Sequence, residues 1–457
     1  MVDGPTDTVT PEPAPPVVAS TRSTIKGGSI LYVGRVAGMA LSFPTAMMAT
    51  AVLGPADYGR WGAALALATL IKSLVSFETS RPLSRYLLAS RRQGDVTRSR
   101  ALLSSALGCD LVTSAVALGL TAVVGLLTRH AGGSVQERLA SILAALGLLL
   151  MFTDRTFLSV ARDAHRYRLM AVYSALWPAL QVVSIFILRQ TGHLNLVTLA
   201  ASYALTAGLT MLGQTQALRR LLPNYGLRLR QMSLRVAWRE RHRLAEFWVF
   251  MGQMYVSAML GALVAGGDML IVRWLAGPEQ TGYYKVAKQF SSALFGPTVA
   301  ITTISYQHIN EYLSAGQYGA LRAWLKRLMK LWVPLYGGSV VAVIILLPWL
   351  VRTLFGPLYM PAALPSQVLA VGAGLGGVML FAQPTVQLGG EYGRLVRFLA
   401  LNVPVAILLM LGGARYAGAV GVAGALVLYN AANNLYGLRL AWRILQRRDT
   451  APAPAPR

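Results

Sequence analysis

Leu53-Gly54-Pro55-Ala56-Asp57-Tyr58-Gly59-Arg60-Trp61 and Ala276-Gly277-Pro278-Glu279-Gln280-Thr281-Gly282-Tyr283-Tyr284 are one turn written twice. Both read Gly-Pro-x-x-x-Gly-x-aromatic with an acid inside, Asp57 in the first and Glu279 in the second. The Gly-Pro pair fixes a tight turn, and an aromatic just after such a turn belongs at the headgroup level of a bilayer. A single Gly-Pro turn carries no weight. Its recurrence after corresponding apolar runs points to a duplicated chain.

Working outward from the two turns, runs of about 20 apolar residues, the length that crosses a bilayer, number about twelve. Six lie near 28–53, 62–84, 101–127, 139–160, 169–188 and 196–218; six more lie near 245–272, 283–306, 330–351, 364–388, 396–414 and 418–440. The expected fold is therefore all-α: a polytopic membrane protein of about 12 transmembrane helices in two six-helix halves around a central cavity. Six is even, so both halves insert the same way round and an axis along the membrane normal relates them, with a substrate path between. The expected divisions are a disordered tail over 1–20, a first half over 21–218, a basic linker over 219–243, a second half over 244–445 and a second tail over 446–457. Prolines inside the runs (Pro44, Pro178, Pro297, Pro334, Pro384 and Pro404) fit a bundle that moves or lines a pathway, because neighbours or a cavity must satisfy the freed carbonyls.

Composition agrees. The 457 residues carry 42 Lys+Arg against 17 Asp+Glu, a formal net charge of +25, yet 55% of residues are apolar and 13% charged. A soluble nucleic-acid-binding protein would carry many more charges and far fewer apolar runs, so no nucleic-acid partner is expected. Twenty-nine of the cations fall on the N-terminal side and even-numbered loops, seven on the opposite loops and six within spans. By the positive-inside rule both termini are cytoplasmic, in a multi-pass protein of the cytoplasmic (inner) membrane. Residues 1–20 hold Asp3, Asp7 and Glu12 but no Lys or Arg, the opposite of a secretory signal. One cysteine, Cys109, excludes a disulfide framework, and five scattered histidines offer no metal spacing. No cofactor and no metal are expected.

The Gly-Pro turn at 53–59 with the apolar span behind it, and the segment from Asp268 to Ala287, resemble the polysaccharide-transporter branch of the multidrug/oligosaccharidyl-lipid/polysaccharide exporter superfamily, the Wzx-type flippases. Twelve spans, short external loops and cytoplasmic termini match from residue 21 to about 445. The resemblance implies a non-enzymatic transporter. Its cargo would be an oligosaccharide on undecaprenyl pyrophosphate, moved to the outer leaflet for a surface glycan such as lipopolysaccharide O-antigen or exopolysaccharide. Membrane lipid, a polysaccharide polymerase and other glycan-assembly proteins are the partners it implies.

Ionisable groups within spans are functional candidates by default, because each is costly there unless paired or wet. Lys72 lies ten residues past Gly62, about 15 Å into its span, with Ser76 and Thr79 at i+4 and i+7; a cationic, hydroxyl-bearing stripe suits a sugar pyrophosphate, the competing reading being a structural pair with Glu78 or another acid. Lys285, Lys288, Gln289 and Ser292 share a face at i, i+3, i+4 and i+7, either facing the second span or snorkelling to headgroups. Arg35, about 10 Å into the first span, could meet a pyrophosphate through its guanidinium or act as an interface anchor. Asp110 and Asp268 are candidates for proton or sodium coupling, with a salt bridge as the alternative. Asp154 and Arg155 point about 100° apart, so each should pair with a different helix. A cation-coupled multidrug exporter of the same architecture would want acids in its cavity. A membrane-embedded glycan polymerase would want a large external loop.

Overall fold

The computed structural model describes residues 21–127 and 134–447, so the expected tail over 1–20 and most of that over 446–457 lie outside the described residues. Fourteen α-helices follow one another without a strand among the described residues. They are α1 (Thr21–Val75), α2 (Ser80–Arg92), α3 (Val96–Leu127), α4 (Val135–Leu150), α5 (Asp154–Asp163), α6 (Tyr167–Gln190) and α7 (Leu196–Leu221). After short turns come α8 (Leu234–Arg239), α9 (Ala245–Leu275), α10 (Gly277–Ser314), α11 (Tyr318–Phe355), α12 (Ala363–Val378), α13 (Ala382–Leu388) and α14 (Tyr392–Leu445).

Nine helical stretches are long and apolar enough to cross a membrane among the described residues. Two of these cross twice. A straight helix of α1's 55 residues would run about 82 Å, far beyond a core of about 30 Å. It breaks at Gly54, whose φ of 71° only glycine adopts readily. α14, with 54 residues, breaks at Ala417 and Gly418 and folds back so tightly that a Cβ on Gly413 or Gly421 would strike the other's backbone. Asn402 and Asn433 then meet across the hairpin at 2.9 Å. With the less apolar, 38-residue α10, this gives the twelve crossings expected.

Three crossings are interrupted. Helix α1 passes to α2 through residues 76–79, α4 to α5 through 151–153, and α12 to α13 through 379–381. A break inside a membrane frees carbonyls that protein groups must satisfy. Here Tyr255 donates to the Leu74 carbonyl, Arg155 to that of Phe77 and Lys72 to that of Leu148, the last at 2.6 Å.

The duplicated turns meet each other. A Cβ on Gly59 would collide with the Pro278 carbonyl, and one on Gly282 with the Pro55 carbonyl. This reciprocal backbone packing of α1 on α10 is what a two-fold relation between the halves produces. The flanking aromatics Tyr58, Trp61, Tyr283 and Tyr284 are all buried in the protein. A bidentate ion pair, Arg273 to Glu137 with both bonds at 2.9 Å, ties α9 of the second half to α4 of the first at the same end.

The basic linker is packed rather than free. Leu222, Tyr225 and Leu227 are buried against the first half, and the Tyr225 hydroxyl donates to Asp163 at 2.5 Å, where Arg91 also bonds at 3.1 Å.

Candidate functional site

Where the two halves face each other beside the duplicated turns lies a cavity of about 360 Å³. Its walls are unequal. The first half supplies five aromatic rings: Phe43 and Tyr58 and Trp61 from the two arms of α1, Trp177 from α6 and Tyr203 from α7. The second half supplies Lys285, Lys288, Gln289 and Ser292, all from α10. Among the described residues no Asp or Glu lines it.

The asymmetry follows from the sequence of the repeat. Superposing the two Gly-Pro turns sets Gly62 against Lys285 and Leu65 against Lys288. A Cβ at Gly62 would press on the Lys285 side chain at 2.8 Å, so glycine in one copy makes the room that lysine in the other fills.

Each polar group has a distinct environment. Lys288 donates to both oxygens of fully buried Asp268, at 2.9 and 3.0 Å, and to the Ala265 carbonyl; the Tyr284 hydroxyl also reaches Asp268. Gln289 donates to the Ser42 carbonyl at 2.9 Å, joining α10 to α1. Among the described residues Lys285 has no hydrogen-bond partner: its buried side-chain nitrogen stands 4.3 Å from the Tyr58 ring centre and 5.0 Å from that of Trp61. A desolvated cation–π contact contributes about 2 kcal/mol, which offsets only part of the several kcal/mol lost in removing an ammonium from water. The indole N–H of Trp177 is likewise buried without a partner among the described residues. The rings hold one another edge-on, Tyr203 standing 5.5 Å from Trp61 and 5.4 Å from Trp177. Such a wall presents flat apolar faces to a sugar ring and donors to its oxygens.

Sequence reasoning placed Lys285, Lys288, Gln289 and Ser292 together, and together they are. It did not place the rings there, although aromatics clustered beside the turn and near Pro178 were visible in the sequence.

Lys72 lies elsewhere. Its helix ends at Val75, so Ser76 and Thr79 do not extend a stripe along one face: Ser76 is buried, and Thr79 donates to Asp110 at 2.8 Å. Asp110 also takes Arg155 at 3.4 Å, and Glu78 lies 4.0 Å from the same guanidinium. Asp154 accepts from Gln214 of α7 at 2.7 Å, so adjacent Asp154 and Arg155 do serve different helices. Lys72 therefore belongs to a charged network inside the first half, at its broken helices.

Arg35 is at the other end of the bundle from the duplicated turns. It is exposed, and its charge and that of Arg81 act on Arg162. None of these three arginine side chains makes an ion pair or hydrogen bond among the described residues. Asp268 is a salt-bridge partner, and Asp110 is shared between Thr79 and Arg155.

The same fold occurs in solved transporters. The chain aligns with an outward-facing multidrug resistance MATE family transporter of the MOP superfamily at TM-score 0.66 and 14% identity, over 93% of this chain and 95% of that one. An inward-facing structure of such a transporter gives 0.63 and 16%, over 92% and 94%. A MOP superfamily transporter from Pyrococcus furiosus, described as having a binding pocket of reverse polarity that suggests a different function, gives 0.66 and 15%, over 93% and 97%. No curated protein sequence matches. The family described as polysaccharide biosynthesis protein matches residues 24–306, the whole first half and the helices that build the cavity's second wall, and the chain belongs to that family.

Proposed function

We propose that this protein is a flippase that moves an oligosaccharide linked to undecaprenyl pyrophosphate across the cytoplasmic membrane for surface polysaccharide assembly. The two halves rock about the cavity between them in alternating access, and the polyprenyl tail stays in lipid. The observation that carries this reading is the cavity wall: two lysines, two glutamines, three hydroxyl side chains and five rings, without a carboxylate among the described residues. Rings stack on sugar faces, amide and hydroxyl groups bond sugar hydroxyls, and cations match an anionic cargo.

The Arg35, Arg81 and Arg162 side chains at the arginine-rich end, which is the cytoplasmic end in this reading, make no ion pair among the described residues and supply what a pyrophosphate needs: guanidinium forks with donors to spare. The basic loops around them draw anionic lipid to that surface. A polymerase and other glycan-assembly proteins would act on the cargo once it is outside.

A cation-coupled multidrug exporter is the second reading, favoured by the MATE structures that share the fold. The acid-free cavity argues against a cationic cargo. The test is a deletion strain: lipid-linked oligosaccharide should accumulate on the inner leaflet and surface glycan should fall, both reversed by the wild-type gene. Unchanged glycan together with raised sensitivity to cationic drugs would favour the exporter.

A further inference from the structure

We infer that the second half carries a binding site for an anionic phospholipid of the surrounding bilayer, in a groove between α11, α13 and α14. The groove encloses about 690 Å³ at the end of the bundle where α11 begins and α14 stops. It shares no residue with the cavity between the halves. Four cations line it: Arg322 and Lys326 on α11, Arg439 and Arg443 on α14. Each pair is spaced i, i+4, so like charges stack on one face of each helix, which destabilises a helix left to itself. An anion between the two pairs removes that cost. Among the described residues no Asp or Glu lines the groove, and none of the four cations makes an ion pair. Glu391, just before α14, is taken by Arg394 and Arg447.

The groove has the polarity of an amphiphile. Arg443 and Arg439 lie about 3 and 9 Å from the Leu445 end of α14, whereas Leu435 lies about 15 Å in. On α11 the order is the same: Arg322 and Lys326 come first and Met329 lies deeper. Long basic side chains hold their charge toward water while their methylenes line an apolar wall. Leu435, Leu438 and Trp442 are 56, 38 and 51% exposed, so the described residues leave this apolar face uncovered. Arg322 donates to the Leu445 carbonyl, which fixes its guanidinium at the mouth with donors to spare. A phosphodiester there would join α11 to α14, as that one hydrogen bond does. Charge and apolar face together choose the occupant. A soluble anion would leave Leu435 and Leu438 uncovered, and a zwitterionic lipid would leave four cations without net compensation. Basic pockets between transmembrane helices bind anionic headgroups on these terms.

The test places full-length protein in phosphatidylcholine vesicles and reads quenching of Trp442 by brominated acyl chains. Trp442 lies in the groove wall, and the difference between wild type and Trp442→Phe isolates its emission. Equal minor fractions of brominated phosphatidylglycerol and brominated phosphatidylcholine are compared. Phosphatidylglycerol should quench Trp442 as if enriched roughly fivefold over its share of the vesicle, the gain from the attraction of about one cation. Phosphatidylcholine should quench it by its share alone. Changing Lys326→Gln, Arg439→Gln and Arg443→Gln together, three exposed side chains, should bring the two lipids level. Inorganic phosphate should not relieve the quenching, and undecaprenyl phosphate should relieve it no more than the same amount of unbrominated phosphatidylglycerol. Equal quenching by the two lipids on wild-type protein would overturn the site, whatever the variants do. An excess that survives the triple change or relief by inorganic phosphate would also overturn it. Stronger relief by undecaprenyl phosphate would overturn it too, by making the groove a carrier site. The readout involves no transport, so its failure leaves the flippase reading standing.

Discussion

Glycine and lysine do the decisive work at the residue scale. Gly59 and Gly282 admit the opposing Pro278 and Pro55 carbonyls, a contact in which backbone rather than a yielding side chain is the obstacle. Gly59→Val or Gly282→Val should cost at least about 3 kcal/mol, the upper range of overpacking, read as a lowered midpoint in thermal unfolding of the detergent-solubilised protein. Gly119→Ala, where a Cβ meets nothing, should be neutral or slightly stabilising. The charged residues divide in the same way. Lys72 bonds a freed carbonyl inside a network, so Lys72→Met should remove about 2 kcal/mol, the worth of a charged hydrogen bond, and lower protein level and surface glycan together. Arg35 is exposed and unpaired, so Arg35→Ala should lower surface glycan at unchanged protein level, as immunoblot and glycan staining of the same cells would show. Equal loss of protein in both variants would contradict this division. Spacing alone could not separate the two residues. Depth made Lys72 look like the centre of the site, and only the break after Val75 shows that its apparent stripe leaves the helix.

At the scale of elements, the repeat is symmetric in backbone and asymmetric in side chains. Both turns start a helix with Gly-Pro and both glycines have positive φ, 71° at Gly54 and 90° at Gly277. Yet α10 carries the lysines where α1 carries Gly62 and Leu65. The turns were legible because glycine and proline act locally. The ring wall was not, since Phe43, Trp177 and Tyr203 come from three helices that only tertiary packing brings to Tyr58 and Trp61. The linker's packing was hidden for the same reason: the sequence showed only a basic segment, while Tyr225 bonds Asp163. The Arg273–Glu137 pair joins α9 to α4 across the halves in a bidentate, largely buried geometry. A double-mutant cycle with Arg273→Gln and Glu137→Gln in thermal unfolding should give a coupling of about 1–2 kcal/mol, above the usual surface pair. Additive effects of the two changes would show that the pair does not hold the halves together.

For the whole molecule, length, apolar runs and the recurring Gly-Pro turn gave the helical, multi-pass, twofold plan, because bilayer thickness constrains a chain globally. The fold is shared by a multidrug resistance MATE transporter and by one described as having a binding pocket of reverse polarity, so it leaves the polarity of the cavity to decide between the two readings. In the proposed reading the affinity for anionic carrier would come from Arg35, Arg81 and Arg162. The most direct measurement follows a fluorescent undecaprenyl-pyrophosphate oligosaccharide in proteoliposomes containing the purified protein, scoring its transfer from one leaflet to the other by quenching from outside. Transfer should occur with wild-type protein, fall about tenfold with Arg35→Ala, and be absent from liposomes without protein. Transfer no faster than in protein-free liposomes, under conditions where the same vesicles export a cationic drug, would contradict a flippase with an anion-binding path.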